Sequence, residues 1–251
     1  LTKEHIGYEN GVLGGVVSAL NVLCSRGDNV LVHSPTYSGF TSCLTNAGYS
    51  IVLSPLVQDE QGIWRMDFED MEKKIVANHI HTALFCSPHN PTGRVWERWE
   101  LEKAMEIFQR HGVYVISDEI WSDIIRPGQK HIPTQMVNSY AKEHTVALYA
   151  PSKTFNLAGL QISNIFVPNP ELRKKLLKEI AAAGYSQVGL MGLVACQAAY
   201  EEGAEWLAQL KAYLEENRKF VKAYLEEHLP TVPNDPERFG DQVWVNGRNE
   251  I

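Results

Sequence analysis

Lys153, Asp118 and Asn90 are the residues of this chain best placed to do chemistry, because each lies just past an apolar, strand-like run. Lys153 sits in A-P-S-K-T-F-N-L-A-G-L, after the run Thr145 to Tyr149. Asp118 and Glu119 follow Val113 to Ser117, and Asn90 sits in S-P-H-N-P-T-G after Thr82 to Cys86. A lysine amine can form an imine with an aldehyde and, once free, take a proton as a general base. A carboxylate can keep a ring nitrogen protonated, and an amide can hydrogen-bond a ring hydroxyl. Each residue also has an ordinary reading: a surface lysine, a strand-end acid that caps a turn, and an asparagine in a simple N-P-T-G turn.

The elements that would hold these groups alternate. Asn29–His33, Ser50–Leu53 and Ile162–Val167 add further strand-like runs, the last ended by Pro168. Helical patterns lie between them. Gly15–Cys24 is apolar and amphipathic, Asp67 can cap a helix through Val76, and Arg98–His111 carries Leu101, Met105 and Phe108 on one face before Gly112 stops it. Asn169-Pro170 opens another helix, Gly189–Tyr200 is apolar, and Ala204–Leu229 is long, with Trp206, Leu210, Tyr213, Phe220 and Tyr224 along one face and Pro230 and Pro233 beyond it. Strands alternating with helices predict a mostly parallel sheet covered on both faces, with ligands bound beyond the carboxyl ends of the strands. The three polar groups fall at that edge.

Bulk properties narrow the partners. The formal net charge is -7 and no basic block stands out, which argues against nucleic acid. No apolar run approaches the ~18 residues of a membrane span. Cys24, Cys43, Cys86 and Cys196 are scattered in apolar surroundings, as core-filling reduced thiols of a cytoplasmic protein would be. No C-x-x-C pair supports a metal site, and His79 and His81 read as surface residues on the approach to a strand, so no metal is expected.

A lysine, a carboxylate and an amide, each behind a strand, are what a pyridoxal phosphate site needs. The segments C-S-P-H-N-P-T-G-R-V-W, V-I-S-D-E-I-W-S-D and A-P-S-K-T-F-N-L-A-G-L-Q, in that order, resemble the large domain of fold-type I pyridoxal phosphate enzymes, the class I/II aminotransferase superfamily. Within it the chain resembles the MalY/PatB branch of cystathionine β-lyase-like proteins. The resemblance implies an α/β fold with a mostly parallel mixed sheet and helices on both faces. It places a cofactor-binding large domain at 1–203, and an interdomain helix with the start of a small domain at 204–251. It implies a homodimer.

The resemblance also distributes roles. Lys153 is the implied Schiff-base lysine and general base, and Asp118, rather than the neighbouring Glu119, is the partner of the pyridine nitrogen. Asn90 contacts the ring hydroxyl, and Tyr37 in S-P-T-Y-S-G-F stacks on the ring. Gly15, Val16 and Val17, after the pair Gly14-Gly15, offer backbone amides to the phosphate, and Ser152 adds a hydroxyl. Ala150 and Gln161 stand where many aminotransferases carry a serine and an arginine for the phosphate, a departure that fits the lyase branch. Trp121 stands where tyrosine or histidine is usual; it either touches the ring hydroxyl or walls the pocket.

The implied activity is cleavage of cystathionine or related cysteine conjugates to pyruvate, ammonia and a thiol. An aminotransferase and a cofactor-binding regulatory protein are the alternatives. Family members are longer at both ends. The resemblance therefore implies that a tyrosine from the neighbouring subunit and the arginine for the substrate carboxylate lie outside this chain, and that the isolated chain is inactive. Arg248, in a tail unlike the family's, is not assigned that role.

Overall fold

A computed structural model describes residues 2–184 and 188–228. The strands are β1 (Ile6–Asn10), β2 (Asn29–Ser34), β3 (Ser50–Gln58), β4 (Trp64–Met66), β5 (Thr82–Cys86), β6 (Tyr114–Asp118), β7 (Thr145–Tyr149) and β8 (Ile162–Phe166). The helices are α1 (Gly11–Leu23), α2 (Ser38–Ala47), α3 (Phe68–Ala77), α4 (Arg98–His111), α5 (Ser139–His144), α6 (Pro151–Thr154), α7 (Pro170–Ala182), α8 (Leu190–Glu202) and α9 (Ala204–His228). The strands form one sheet in the order β1-β8-β7-β6-β5-β2-β3-β4. Neighbours from β7 through β3 are parallel, whereas β8 is antiparallel to β7 and β1, and β4 is antiparallel to β3.

Side-chain alternation along the strands sorts the core into two layers. Leu84 and Cys86 of β5 face Val16 and Leu20 of α1, Phe40 of α2 and Leu176 of α7. Ala83 and Phe85 face the other way, onto Met71 of α3 and Leu101, Met105 and Phe108 of α4. The helix signals read from sequence act where they were expected. Asp67 accepts the N–H of Asp70, Asn169 accepts those of Glu171 and Leu172, and Gly112 ends α4 with φ 65°.

The register delivers the polar groups to one edge. Cys86 pairs with Asp118, and Asp118 with Leu148, so β5, β6 and β7 end side by side. The residues that follow, Asn90, Asp118 itself and Lys153, therefore emerge together. Because β8 runs back along β7, and β1 runs back along β8 with Asn10 opposite Ile162, the start of α1 reaches the same edge. The structure thus has the mostly parallel, two-sided sheet expected from the sequence. α9 has no fully buried residue: Leu210 and Leu214 are half-buried and Trp206 meets Phe155 at 5.6 Å, whereas Tyr213, Phe220 and Tyr224 are exposed. Leu229, the two prolines after it, Arg248 and the tail lie outside the described residues.

Candidate active site

At that edge a cavity of about 440 Å³ is lined by Lys153, Asp118, Asn90, Tyr37, Trp121 and Ser152, all expected from the sequence. Its size lies within the ~300–1,000 Å³ usual for small-molecule sites. A larger, mostly apolar hollow of about 870 Å³ against β8 and α8 contains none of these six residues.

Lys153 stands on α6, a single turn started by Pro151. Its Nζ lies 5.5 Å from the centre of the Trp121 ring, within cation–π range. Trp121 itself is buried, so it walls the cavity and faces the amine.

Asp118 is buried at the end of β6 and accepts the N–H of Ile120 at 3.0 Å. Burial pushes its pKa up to about 7; the Ile120 N–H and Lys153 pull down, and Glu119 pushes up. Glu119 points into a different environment. It accepts hydrogen bonds from Ser117 Oγ at 2.9 Å and the Thr134 N–H at 3.1 Å, contacts His131 Nε2 at 2.6 Å and takes the Tyr149 hydroxyl. Its oxygens are fully used, and it does not line the cavity.

A pH prediction follows from Asp118. An ordinary aspartate titrates near 3.8 and this one near 7. Between those values the folded chain keeps a proton that the unfolded chain has lost, so this residue's contribution to stability is greatest below the lower value and falls as pH rises through the upper one. His33 and His89, whose pKa values burial lowers to about 4 and about 3, act in the opposite direction. The difference between wild type and Asp118→Asn isolates the aspartate. In the cofactor-free protein, the variant's relative stability should increase by on the order of 4 kcal/mol across the window. Urea midpoints measured below and above it would check this, and a constant difference would contradict the buried, protonated carboxyl.

Asn90 sits in the expected turn, with its N–H toward Cys86 Sγ at 3.4 Å. Its Oδ1 is buried and has no partner among the described residues. A buried acceptor left unpaired costs roughly 1–3 kcal/mol, so Oδ1 is poised to accept from a donor that enters the cavity. Tyr37 precedes α2 and meets Phe40 edge-on at 5.4 Å. A Cβ on Gly39 would come within 2.3 Å of the Tyr37 ring, so glycine makes room for that ring.

The phosphate loop departs from expectation. α1 opens at Gly11, which puts Gly15, Val16 and Val17 in its second turn, where each amide is committed to a carbonyl four residues back. Gly15 packs so closely on Leu148 and Ile165 that an added Cβ would lie 2.8 Å from Leu148 Cδ2, and Val16 is fully buried. None of the three lines the cavity. The first-turn residues Gly11, Val12 and Leu13 line it instead. The Gly11 N–H bonds the Gln161 carbonyl at 3.1 Å, and helix geometry leaves those of Val12 and Leu13 without intrahelical partners. Gly11 has φ 73°, and Gln161 Oε1 would be 2.8 Å from any Cβ there. The available signal was Asn10-Gly11, an N-cap residue type before a glycine, four residues upstream of the glycine pair. Gln161, noted from sequence only as a missing arginine, also lines the cavity.

The donor set fits pyridoxal phosphate: two free amides at a helix start for the phosphate, an unsatisfied acceptor for a ring hydroxyl, a buried acid for a ring nitrogen and an amine for the aldehyde. Comparison with known proteins agrees. The family model for class I and II aminotransferases matches residues 1–245. The chain belongs to that family. It is 36% identical over 246 residues to the cystathionine β-lyase PatB of Bacillus subtilis, covering 98% of this chain and 63% of that protein. Among solved structures, a pyridoxal phosphate-bound aminotransferase assigned by similarity from Clostridium difficile superposes with TM-score 0.88 at 36% identity, over 92% of this chain and 59% of that one. A pyridoxal phosphate-bound C–S lyase from Staphylococcus hominis superposes with TM-score 0.84 at 34% identity, over 92% and 57%. The chain therefore spans roughly three-fifths of the length of these relatives.

Proposed function

We propose that this chain is the cofactor-binding part of a pyridoxal phosphate-dependent C–S β-lyase that cleaves cystathionine or related cysteine conjugates. The observation that carries the reading is the convergence of Lys153, Asp118 and the unpartnered Asn90 Oδ1 on one cavity. The likeness to PatB and to the Staphylococcus hominis lyase supports the substrate class.

When bound, the cofactor supplies an electron sink conjugated to the substrate Cα. The Val12 and Leu13 amides, at the positive end of α1, hold the phosphate. Asn90 Oδ1 would accept the ring hydroxyl, and Tyr37 would wall the ring. Asp118, whose buried carboxyl has its pKa pushed up to about 7, would hold the ring nitrogen in its protonated form. Lys153, once free, takes the Cα proton, with Trp121 keeping its amine over the cavity. Loss of that proton lets the β-carbon release its sulfur as a thiolate. Overall, cystathionine and water give homocysteine, pyruvate and ammonia, with no net oxidation.

The full-length enzyme should release pyruvate, ammonia and thiol in many turnovers with no keto acid present. A second reading, aminotransferase, is favoured by the likeness to the Clostridium difficile protein. It predicts one turnover followed by arrest until a keto acid is added, and that outcome would replace the lyase reading. We propose further that the domain boundary lies at 203/204 and that the protein is a cytoplasmic homodimer. The unpaired thiols of all four cysteines and the exposed Leu190, Met191 and Val194 support these last two assignments. No described helix is long and apolar enough to cross a membrane.

A further inference from the structure

α6 holds Lys153 on a single helical turn, and a single turn has little stability of its own. Its N-cap, Ala150, offers no side-chain cap. Two backbone bonds close it, Phe155 N–H to Pro151 at 2.9 Å and Leu157 N–H to Ser152 at 3.0 Å. Neither bond connects the turn to the acid across the cavity. The side chain of Thr154, the residue after Lys153, ties it instead to the bend that follows Asp118. Thr154 is fully buried, and its hydroxyl donates to Asp123 Oδ2 at 2.9 Å.

Asp123 belongs to the bend that follows Asp118. Ser122 N–H to the Glu119 carbonyl at 3.0 Å and Ile124 N–H to the Trp121 carbonyl at 3.2 Å hold that bend together. One short segment therefore carries the acid, the aromatic ring that faces the lysine amine and the acceptor for Thr154. Thr154 is β-branched and stiff at χ1, so this bond restrains its backbone, and the planar peptide before it carries that restraint to the Cα of Lys153, where the lysine stem starts. A lysine side chain is long and flexible, so where its stem starts decides how often the amine reaches the cofactor carbon.

We propose that the Thr154–Asp123 hydrogen bond is a positioning device that sets Lys153 in register with Asp118, and that Asp123 and Thr154 are positioning residues for covalent capture of the cofactor. This inference rests on Lys153 being the lysine that captures it. Neither residue lines the cavity, so they act through Lys153 and not by touching the cofactor.

The test compares two ligands on the cofactor-free protein. Pyridoxal phosphate reacts with the lysine, whereas 4′-deoxypyridoxine 5′-phosphate fills the same seat and cannot. Thr154→Val keeps shape and loses the donor. It should slow covalent capture, read from the visible band, by roughly 10- to 100-fold, while the Kd of the deoxy analogue stays within about twofold and Thr154→Ser restores the rate. Asp123→Asn, which keeps an acceptor oxygen, should slow capture by a smaller factor and guards against a valine variant that fails to fold. Capture at the wild-type rate in Thr154→Val and Asp123→Asn overturns the proposal. Equal weakening toward both ligands also overturns it, in favour of a purely structural bond. Failure of the underlying assignment looks different: Lys153→Ala would then still capture the cofactor covalently.

Discussion

Replacement of Lys153 by alanine is expected to abolish covalent capture of pyridoxal phosphate and to lower turnover by about 10²–10⁴-fold or more, because the same amine anchors the cofactor and takes the Cα proton. The fold should survive. Lys153 is half-buried, makes no ion pair among the described residues and contributes chiefly its contact with Trp121. The variant should retain noncovalent affinity for the cofactor through the start of α1, Asn90 and Asp118. An added small amine should recover part of the proton-transfer rate. Single-turnover kinetics with and without the amine would check this, and a Lys153→Ala protein with wild-type kcat would contradict it.

The second large effect separates two adjacent acids. Asp118→Asn keeps size and hydrogen-bonding shape but cannot neutralise a protonated ring nitrogen. It should slow Cα-proton loss by roughly 10²–10³-fold, the scale seen when a charge-stabilising group is removed from a closed site. Glu119→Gln should leave that step within severalfold of wild type and lower stability instead, by on the order of 2 kcal/mol. Glu119 is an acceptor for Ser117, Thr134 and Tyr149 and contacts His131, and an amide cannot accept from them all. Isotope effects at Cα would read the first outcome and urea midpoints the second. If Glu119→Gln loses the chemical step while Asp118→Asn keeps it, the acid has been misassigned.

The sequence showed the middle of the sheet clearly and its margins poorly, for physical reasons. β5, β6 and β7 are buried on both faces, so they appear as continuous apolar runs, and their polar terminators mark the site. β1 is an edge strand of the mixed sheet, with Gly7 and Tyr8 partly exposed, and pairs with β8 from far along the chain, so nothing local announces it. β4 has three residues and exists only against β3. β3 itself runs to Gln58, beyond the Leu53 expected from sequence, because Ser54-Pro55 looks like a break. Pro55 is tolerated since β4 begins its pairing only at Leu56. Gly15, Val16 and Val17, expected at the cavity, lie away from it, and Gly11, Val12 and Leu13 line it, for a similar reason. Gly14-Gly15 looks like a loop for anion binding, yet at Gly15 the absence of a side chain serves close packing against Leu148 and Ile165. The glycine that shapes the cavity is Gly11, whose positive φ becomes apparent only once β1 is known to lead into α1. Strand pairing and packing, rather than local residue type, decided each of these cases.

The point of cofactor attachment decides most directly whether this cavity is the active site. The protein loaded with pyridoxal phosphate, reduced with borohydride, digested and mapped by mass spectrometry, should carry the modification in the peptide containing A-P-S-K-T-F-N, on Lys153, and the Lys153→Ala variant should carry none. Modification of a different lysine, or none in the wild-type protein, would contradict the assignment of this cavity as the active site.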